Sequence, residues 1–258
     1  MALNPWTKLI MTSSLPKGLS IIVPAYNEER TICQVLCELI NLEYTFPVEI
    51  IVLSDGSTDA TKEIVLDPKH IFNVRFVDNA VNQGKGNVVR QGIAMATYSH
   101  TLIFDADLEY FAVDIPNMFS FINSGVAEVV FGSRVRGVNT AQPSLAFSLG
   151  RSFLTHYMNV LFGSTVTDLH TCLKLIPTDV LRQSELTENG FGLDTEITCE
   201  LLRRKLHPFE VPITYVGRTA TQGKKIGPKD GLICLKIVTT KRFSRTPKRE
   251  TNLVPQLT

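Results

Sequence analysis

The sequence predicts an α/β fold in which a mostly parallel central sheet is covered by helices on both faces. Two observations carry this expectation. Short apolar runs of strand length alternate with helical patterns from Leu19 to Phe104, the pattern of βαβ units in a buried parallel sheet. Three polar clusters each follow one of those runs directly: Pro24-Ala25-Tyr26-Asn27-Glu28, Ser54-Asp55-Gly56-Ser57 and Asp105-Ala106-Asp107. Sheets of this kind bind ligands beyond the carboxyl ends of their strands, so three clusters converging on one edge mark a site.

In chain order, residues 1–18 hold Pro5, Pro16 and Gly18 and read as an arm. Leu19 to Val23 is an apolar run ended by Pro24, a buried strand. Asn27 is expected to cap a helix whose pattern starts at Glu28, Thr31 and Ile32 and reaches about Leu42. Val48 to Leu53 is a second strand, and Thr58 or Asp59 starts another helix. Val74 to Val77 is a third strand, Gly84 to Thr97 a helix, and Thr101 to Phe104 a fourth strand. The alternation then loosens. Strands are expected at Val126 to Phe131, Leu173 to Ile176 and Pro208 to Ile213, and helices at Pro143 to Phe162 and Asp194 to Lys205. The expected organisation is an arm over 1–18, one domain over 19–231 and a basic tail over 232–258.

Composition narrows the classes. The 258 residues are 44% hydrophobic and 20% charged with a net charge of +1, ordinary for one large globular domain and giving no electrostatic reason to expect nucleic acid. The five cysteines are odd in number and scattered, which suits reduced thiols better than disulfides or a zinc site. A secretory leader is not expected, and no run approaches the ~20 apolar residues that span a bilayer. The tail carries Lys236, Lys241, Arg242, Arg245, Lys248 and Arg249 after Leu232-Ile233-Cys234-Leu235. It is either a solvated end or a segment drawn to anionic lipid.

Asp105 and Asp107 lie one residue apart at the end of a buried run. Carboxylates so placed can share a hard cation through oxygen ligands, and that cation can hold a diphosphate, as nucleotide-sugar chemistry requires. Gly84-Lys85-Gly86 opens a helix, where backbone can approach a ligand and the N-terminus favours anions.

Eight segments extend the picture, in order over about residues 19–231. They are Ile22-Val23-Pro24-Ala25-Tyr26-Asn27-Glu28-Glu29, Ser54-Asp55-Gly56-Ser57-Thr58-Asp59, Asn82-Gln83-Gly84-Lys85-Gly86 and Asp105-Ala106-Asp107-Leu108, then Phe131-Gly132-Ser133-Arg134, Thr167-Asp168 with Thr171-Cys172-Leu173-Lys174, Phe191-Gly192-Leu193-Asp194-Thr195-Glu196-Ile197, and Tyr215-Val216-Gly217-Arg218 with Gly223-Lys224-Lys225-Ile226-Gly227. Together they resemble the family-two glycosyltransferases, in their dolichol-phosphate mannose synthase-like branch. The resemblance implies a GT-A fold, a nucleotide-sugar donor of the GDP-mannose or UDP-glucose type, Mg²⁺ or Mn²⁺, and inversion at the anomeric carbon. It places Pro24, Tyr26, Glu28 and Asp55 at the nucleotide, with Lys85 beside the donor, and Asp105 and Asp107 at the metal and diphosphate. Arg134, Arg151, Lys174, Arg218, Lys224 and Lys225 match basic positions for donor and acceptor phosphates. Glu109 stands where the branch often has Gln, and is expected to add charge to the metal site.

The acceptor decides the mechanism. A sugar hydroxyl needs a base to take its proton, and Asp194 or Glu196 are the candidates. A phosphomonoester, with a second pKa of about 6, attacks without one if cations hold two anions together, which suits Arg134, Arg218, Lys224 and Lys225. The expected function is hexose transfer to a polyprenyl or dolichyl phosphate by a peripheral protein on the cytoplasmic face of a membrane, alone or with a membrane-protein partner. The alternatives are a glycosyltransferase with a soluble or saccharide hydroxyl acceptor, and a catalytically silent subunit of a membrane complex.

Overall fold

The structure, a computed structural model, describes residues 15–68, 73–137, 145–217 and 228–244. Seven strands form one sheet: β1 (Leu19–Ala25), β2 (Val48–Asp55), β3 (Arg75–Asn79), β4 (His100–Ile103), β5 (Val130–Ser133), β6 (Lys174–Pro177) and β7 (Phe209–Pro212). Their order is β3-β2-β1-β4-β6-β5-β7. β1 lies between β2, from Leu19↔Val48 to Ala25↔Ser54, and β4, from Leu19↔His100 to Ile22↔Ile103, parallel to both. β6 runs antiparallel to β4 and β5, and β7 returns parallel to β5. The sheet is the mostly parallel one expected, with one reversed strand in its middle.

All seven residues of β1 are buried, because helices cover both faces. Side chains alternate across a strand, so Leu19, Ile21 and Val23 join the core under α1 (Ile32–Asn41) and α4 (Asp114–Asn123). Ile22 joins the opposite core, with Ile51 and Leu53, under α3 (Lys85–Met95) and α7 (Leu193–Arg203). A third cluster, Leu154, Met158, Cys199, Leu202, Cys234 and Val238, joins α7 to α5 (Leu145–Phe162) and α8 (Pro228–Phe243). Two short helices, α2 (Thr61–Leu66) and α6 (Thr178–Arg182), complete the set among the described residues.

Several local expectations are corrected. Asn27 does not cap α1, which starts at Ile32 after Thr31. Asn27 has φ +56°, and its Oδ1 accepts from the Thr58 backbone N–H at 2.8 Å. β5 starts at Val130 rather than Val126, because Gly125 turns the chain at φ +71° and the Val126 and Ala127 N–H groups close α4 on the Phe121 carbonyl. The expected boundary between residues 231 and 232 falls inside α8, whose Cys234 and Val238 are buried against α5 and α7. Residues 228–244 therefore pack with the domain.

Candidate active site

Three loops beyond the carboxyl ends of β1, β2 and β4 stand side by side. The first two are stitched together by neutral and charge-assisted hydrogen bonds. The Asn27 N–H donates to Ser57 Oγ at 3.1 Å, the Glu28 N–H to Thr61 Oγ1 at 2.9 Å and the Glu29 N–H to Asp59 Oδ2 at 3.1 Å. Pro24 is buried in β1 and Tyr26 half-buried at its end, while the Glu28 carboxylate accepts from Thr31 Oγ1 at 2.8 Å. Asp55 is only 3% exposed, and its two oxygens accept the N–H groups of Gln83 and Gly84 at 2.9 and 2.8 Å. Asp55 thus ties the two residues that lead into α3 to the end of β2.

The glycines around Lys85 make room for neighbouring backbone. The Gly86 N–H donates to the Asn189 carbonyl at 2.7 Å. A Cβ on Gly86 would collide with the Glu188 carbonyl, and one on Gly84, at φ +96°, with that of Asn189. Both positions let the 188–189 loop lie against α3. Lys85 itself projects to the end of β4. Its Nζ lies 2.8 Å from Asp105 Oδ1, 2.9 Å from Oδ2, 3.2 Å from Cys172 Sγ and 3.8 Å from Asp194 Oδ2.

Lys174, the first residue of β6, completes this cluster. It is fully buried, and its Nζ donates to the carbonyls of Leu169 and Asp194 at 3.0 and 2.7 Å and lies 3.5 Å from Asp194 Oδ1. Burial raises the Asp194 carboxyl, but Lys174 and Lys85 outweigh it and hold the group below the usual carboxylate value. Burial also depresses Lys174, more than Asp194 restores it.

Arg134, just past β5, is held by Asp168 through two parallel bonds, Nε–Oδ2 at 2.7 Å and Nη2–Oδ1 at 2.8 Å. The Arg134 N–H adds a third bond to Oδ2 at 3.1 Å. Burial pushes Asp168 up, but Arg134 dominates and brings the carboxyl down to about 2, with a smaller contribution from Arg151 on α5. The Arg134 guanidinium sits 4.9 Å from the centre of the Tyr215 ring, within cation–π range. The Tyr215 hydroxyl donates to Glu109 Oε2 at 2.7 Å.

Residues 20–183 match Glycosyl transferase family 2. The chain belongs to that family. Among its curated relatives, the low-salt glycan biosynthesis hexosyltransferase Agl6 of Haloferax volcanii is 28% identical over 207 residues, 79% of this chain and 49% of that protein. The dolichyl-phosphate beta-glucosyltransferase ALG5A of Trichomonas vaginalis is 29% identical over 201 residues, 73% of this chain and 56% of that one. The chain spans about half or less of the length of the first curated relatives it matches. Among solved structures, glucosyl-3-phosphoglycerate synthase of Mycobacterium tuberculosis, in complex with Mn²⁺, UDP-glucose and phosphoglyceric acid, superposes with a TM-score of 0.67 at 18% identity, covering 88% of this chain and 80% of that one. The fold is GT-A.

For a family 2 member, the donor set at the end of β4 suits a hard divalent cation. Asp105 and Asp107 offer carboxylate oxygens, and Lys85 already bridges both oxygens of Asp105 as a cation would. A carboxylate has about four lone-pair sites, so this leaves room for a further partner. Among the described residues no three His, Cys, Asp or Glu side chains gather to hold a metal. Mg²⁺ asks for only one or two protein carboxylates, with phosphates and waters filling the rest. Glu109, expected as a third, is turned to Tyr215, and its N–H donates to Asp107 Oδ1 at 3.1 Å. Glu196 is corrected as a candidate base. It is 1% exposed, accepts the Thr187 and Glu188 N–H groups, each at 2.9 Å, and pairs with Lys241 at 3.1 Å.

Arg218, Lys224 and Lys225 lie outside the described residues. The structure adds Asp168, Cys172 and Tyr215, which the motifs contained but to which the sequence attached no role. A signal was present for Asp168: a lone carboxylate in a segment otherwise apolar or neutral needs a cation when buried.

Proposed function

We propose that this chain transfers a hexose from a nucleotide-sugar donor to a polyprenyl phosphate at the cytoplasmic face of a membrane, with Mg²⁺ or Mn²⁺. One observation carries the reading. The acidic pair Asp105 and Asp107 shares its edge with Lys85, Lys174 and Arg134, while Asp194, the carboxylate best placed to act as a base, is held ionised between Lys85 and Lys174. A carboxyl kept below its ordinary pKa is a weak proton acceptor, which disfavours a hydroxyl acceptor and favours one that arrives as an anion.

In this reading Asp105 and Asp107 would hold the cation, which supplies charge neutralisation on the departing diphosphate. Pro24, Tyr26 and Glu28 line the nucleotide side, with Asp55 holding α3 in place behind them. Lys85 orients Asp105, Lys174 fixes Asp194 and the Leu169 loop, and Asp168 presents a preorganised Arg134 to the phosphates. Arg151, Arg218, Lys224 and Lys225 are assigned to the acceptor phosphate.

A membrane surface is supported by the outer face of the α5–α8 pair. Tyr157 and Thr239 share a hydrogen bond of 2.9 Å, and Arg242 Nε donates to the Leu161 carbonyl at 2.6 Å, so the helices lie alongside. Leu149, Phe153 and Val160 on α5 are exposed, as are Leu232 and Phe243 on α8, with Lys229, Lys236 and Arg242 among them. Apolar side chains rimmed by cations suit an anionic lipid interface. Among the described residues no helix is long and apolar enough to cross a membrane.

The experiment is product formation from labelled GDP-mannose, UDP-glucose and UDP-N-acetylglucosamine, each with and without polyprenyl phosphate and Mg²⁺. Label entering the organic phase, dependent on both lipid and metal, is the expected result. Metal-dependent turnover confined to water-soluble products would replace the lipid acceptor with a hydroxyl or soluble one. Absence of turnover with every donor would favour a silent subunit.

A further inference from the structure

We propose that the Cys172 thiol is a positioning residue for the Asp105 carboxylate, and therefore for the cation and diphosphate that carboxylate serves; the assignment rests on the donor-site reading above. Cys172 Sγ donates to Asp105 Oδ2 at 2.7 Å and approaches Asp194 Oδ2 at 3.7 Å. Lys85 Nζ donates to the same sulfur at 3.2 Å. One side chain of small volume thus touches three of the charged groups on which the proposed chemistry depends.

The thiol has little freedom to be elsewhere. Cys172 is 8% exposed, Leu173 beside it is fully buried, and its backbone N–H donates to the hydroxyl of Tyr110, itself 2% exposed, at 3.1 Å. Tyr110 belongs to the same turn as Asp105, Asp107 and Glu109, so the 172 loop is tied to the acidic loop through backbone and side chain together. Lys85 and Cys172 engage Asp105 from within the protein, which leaves the carboxylate's remaining lone pairs for a ligand.

The residue type suits the task. A thiol is a weak donor with an apolar body, so it packs into the core with Leu173 and Tyr110 while presenting one proton to Asp105. Sulfur is a soft ligand, whereas Mg²⁺ and Mn²⁺ prefer carboxylate oxygen. Cys172 can therefore orient Asp105 without capturing the cation. A carboxylate at this position would compete for the metal and repel Asp105 and Asp194.

The test measures binding without turnover. Calorimetric titration of Mn²⁺ with GDP, and of Mn²⁺ with UDP, is compared for the unaltered protein, C172A and C172S, with thermal unfolding recorded for each. The expected result is a loss of about 10-fold in affinity for C172A, the scale seen when a partner of a metal ligand is removed, with most of it recovered in C172S, which keeps a donor. Should C172A not fold, Cys172→Val fills the volume without a donor and takes its place. Unchanged binding in the donor-free variant overturns the positioning role and leaves the donor-site reading standing, and C172S as weak as C172A overturns its hydrogen-bond basis. An unaltered protein that binds neither nucleotide with Mn²⁺ overturns the donor-site reading itself, and this inference with it.

Discussion

The two halves of the sheet hold their polar edge by different means. On the β3-β2-β1-β4 side the strands are parallel, so their loops emerge together and satisfy one another's backbone. Asn27 bonds Thr58, Asp59 bonds Glu29, and Asp55 bonds the Gln83 and Gly84 N–H groups that lead into α3. On the β6-β5-β7 side the edge is built from buried charge: Arg134 with Asp168, Lys174 with Asp194, and Lys241 with Glu196 and Glu200. The reversed strand is the cause. Because β6 runs antiparallel, it brings its beginning to the edge where β4 and β5 bring their ends, so Asp168, His170 and Cys172, which precede the strand, land beside Asp105 and Arg134. A side held by backbone hydrogen bonds is sensitive to sterics at a few glycines, whereas one held by buried ion pairs is sensitive to single charges and to pH.

The sharpest way to break this contrast is Asp168→Asn. It leaves Arg134, 8% exposed, without its counter-charge, and removing one partner of a buried pair costs about 3–5 kcal/mol. Urea unfolding should show that loss; a change under about 1 kcal/mol would mean that the pair behaves as a surface one. Gly86→Ala tests the other half. Its Cβ meets the Glu188 carbonyl, and overpacking of this kind costs about 1–3 kcal/mol, with α3 and the 188–189 loop as the first elements to lose hydrogen-exchange protection. A greater loss for Gly86→Ala than for Asp168→Asn would reverse the comparison.

Acid should weaken both halves, through His100 on β4 and His170 before β6. Burial brings His170 down to about 4, with Lys174 and Arg134 adding to it, and burial with a contribution from Lys17 brings His100 down to about 4. As pH falls from the ordinary histidine value of about 6.5 toward 4, the unfolded chain takes protons that the folded chain refuses, so stability falls. The loss is on the order of 3 kcal/mol for each histidine. Asp168 acts over a lower window. Its carboxyl is depressed to about 2, so its contribution is present above the unfolded value of about 4 and disappears as pH falls from there to 2. Urea titrations at pH 7.5, 5 and 3 should show both windows, and Asp168→Asn should shrink the lower one, to which Asp194 also contributes. The smallest effect expected is that of Tyr215→Phe, which deletes the hydroxyl donated to Glu109. It should cost about 1 kcal/mol by the same assay, with a larger loss marking Glu109 as a buried charge rather than a surface one.

Much of the first half was legible from residue order. Leu19 to Val23, Val48 to Leu53 and Thr101 to Phe104 read as strands because both faces of the sheet are covered, which makes their apolar runs continuous. Asp105 and Asp107 stood out because they end such a run. The second half was less legible. The start of β5 is blurred by the apolar residues that close α4, and α4 and α6 fall between stronger signals. The sequence suggests a cap at Asn27 and shows nothing of what Gly84 and Gly86 lie against, because their partners at Thr58, Glu188 and Asn189 are distant in sequence.

By itself the sequence determined the fold class, the parallel half of the sheet, the acidic pair at its edge and the family, since each follows from local periodicity or from residues adjacent in the chain. Tertiary structure alone decided which charges pair. Whether Arg134 meets Asp168 and whether Cys172 reaches Asp105 and Lys85 depends on the direction of β6, and strand direction is set by packing and register across the whole sheet rather than by any run of neighbouring residues.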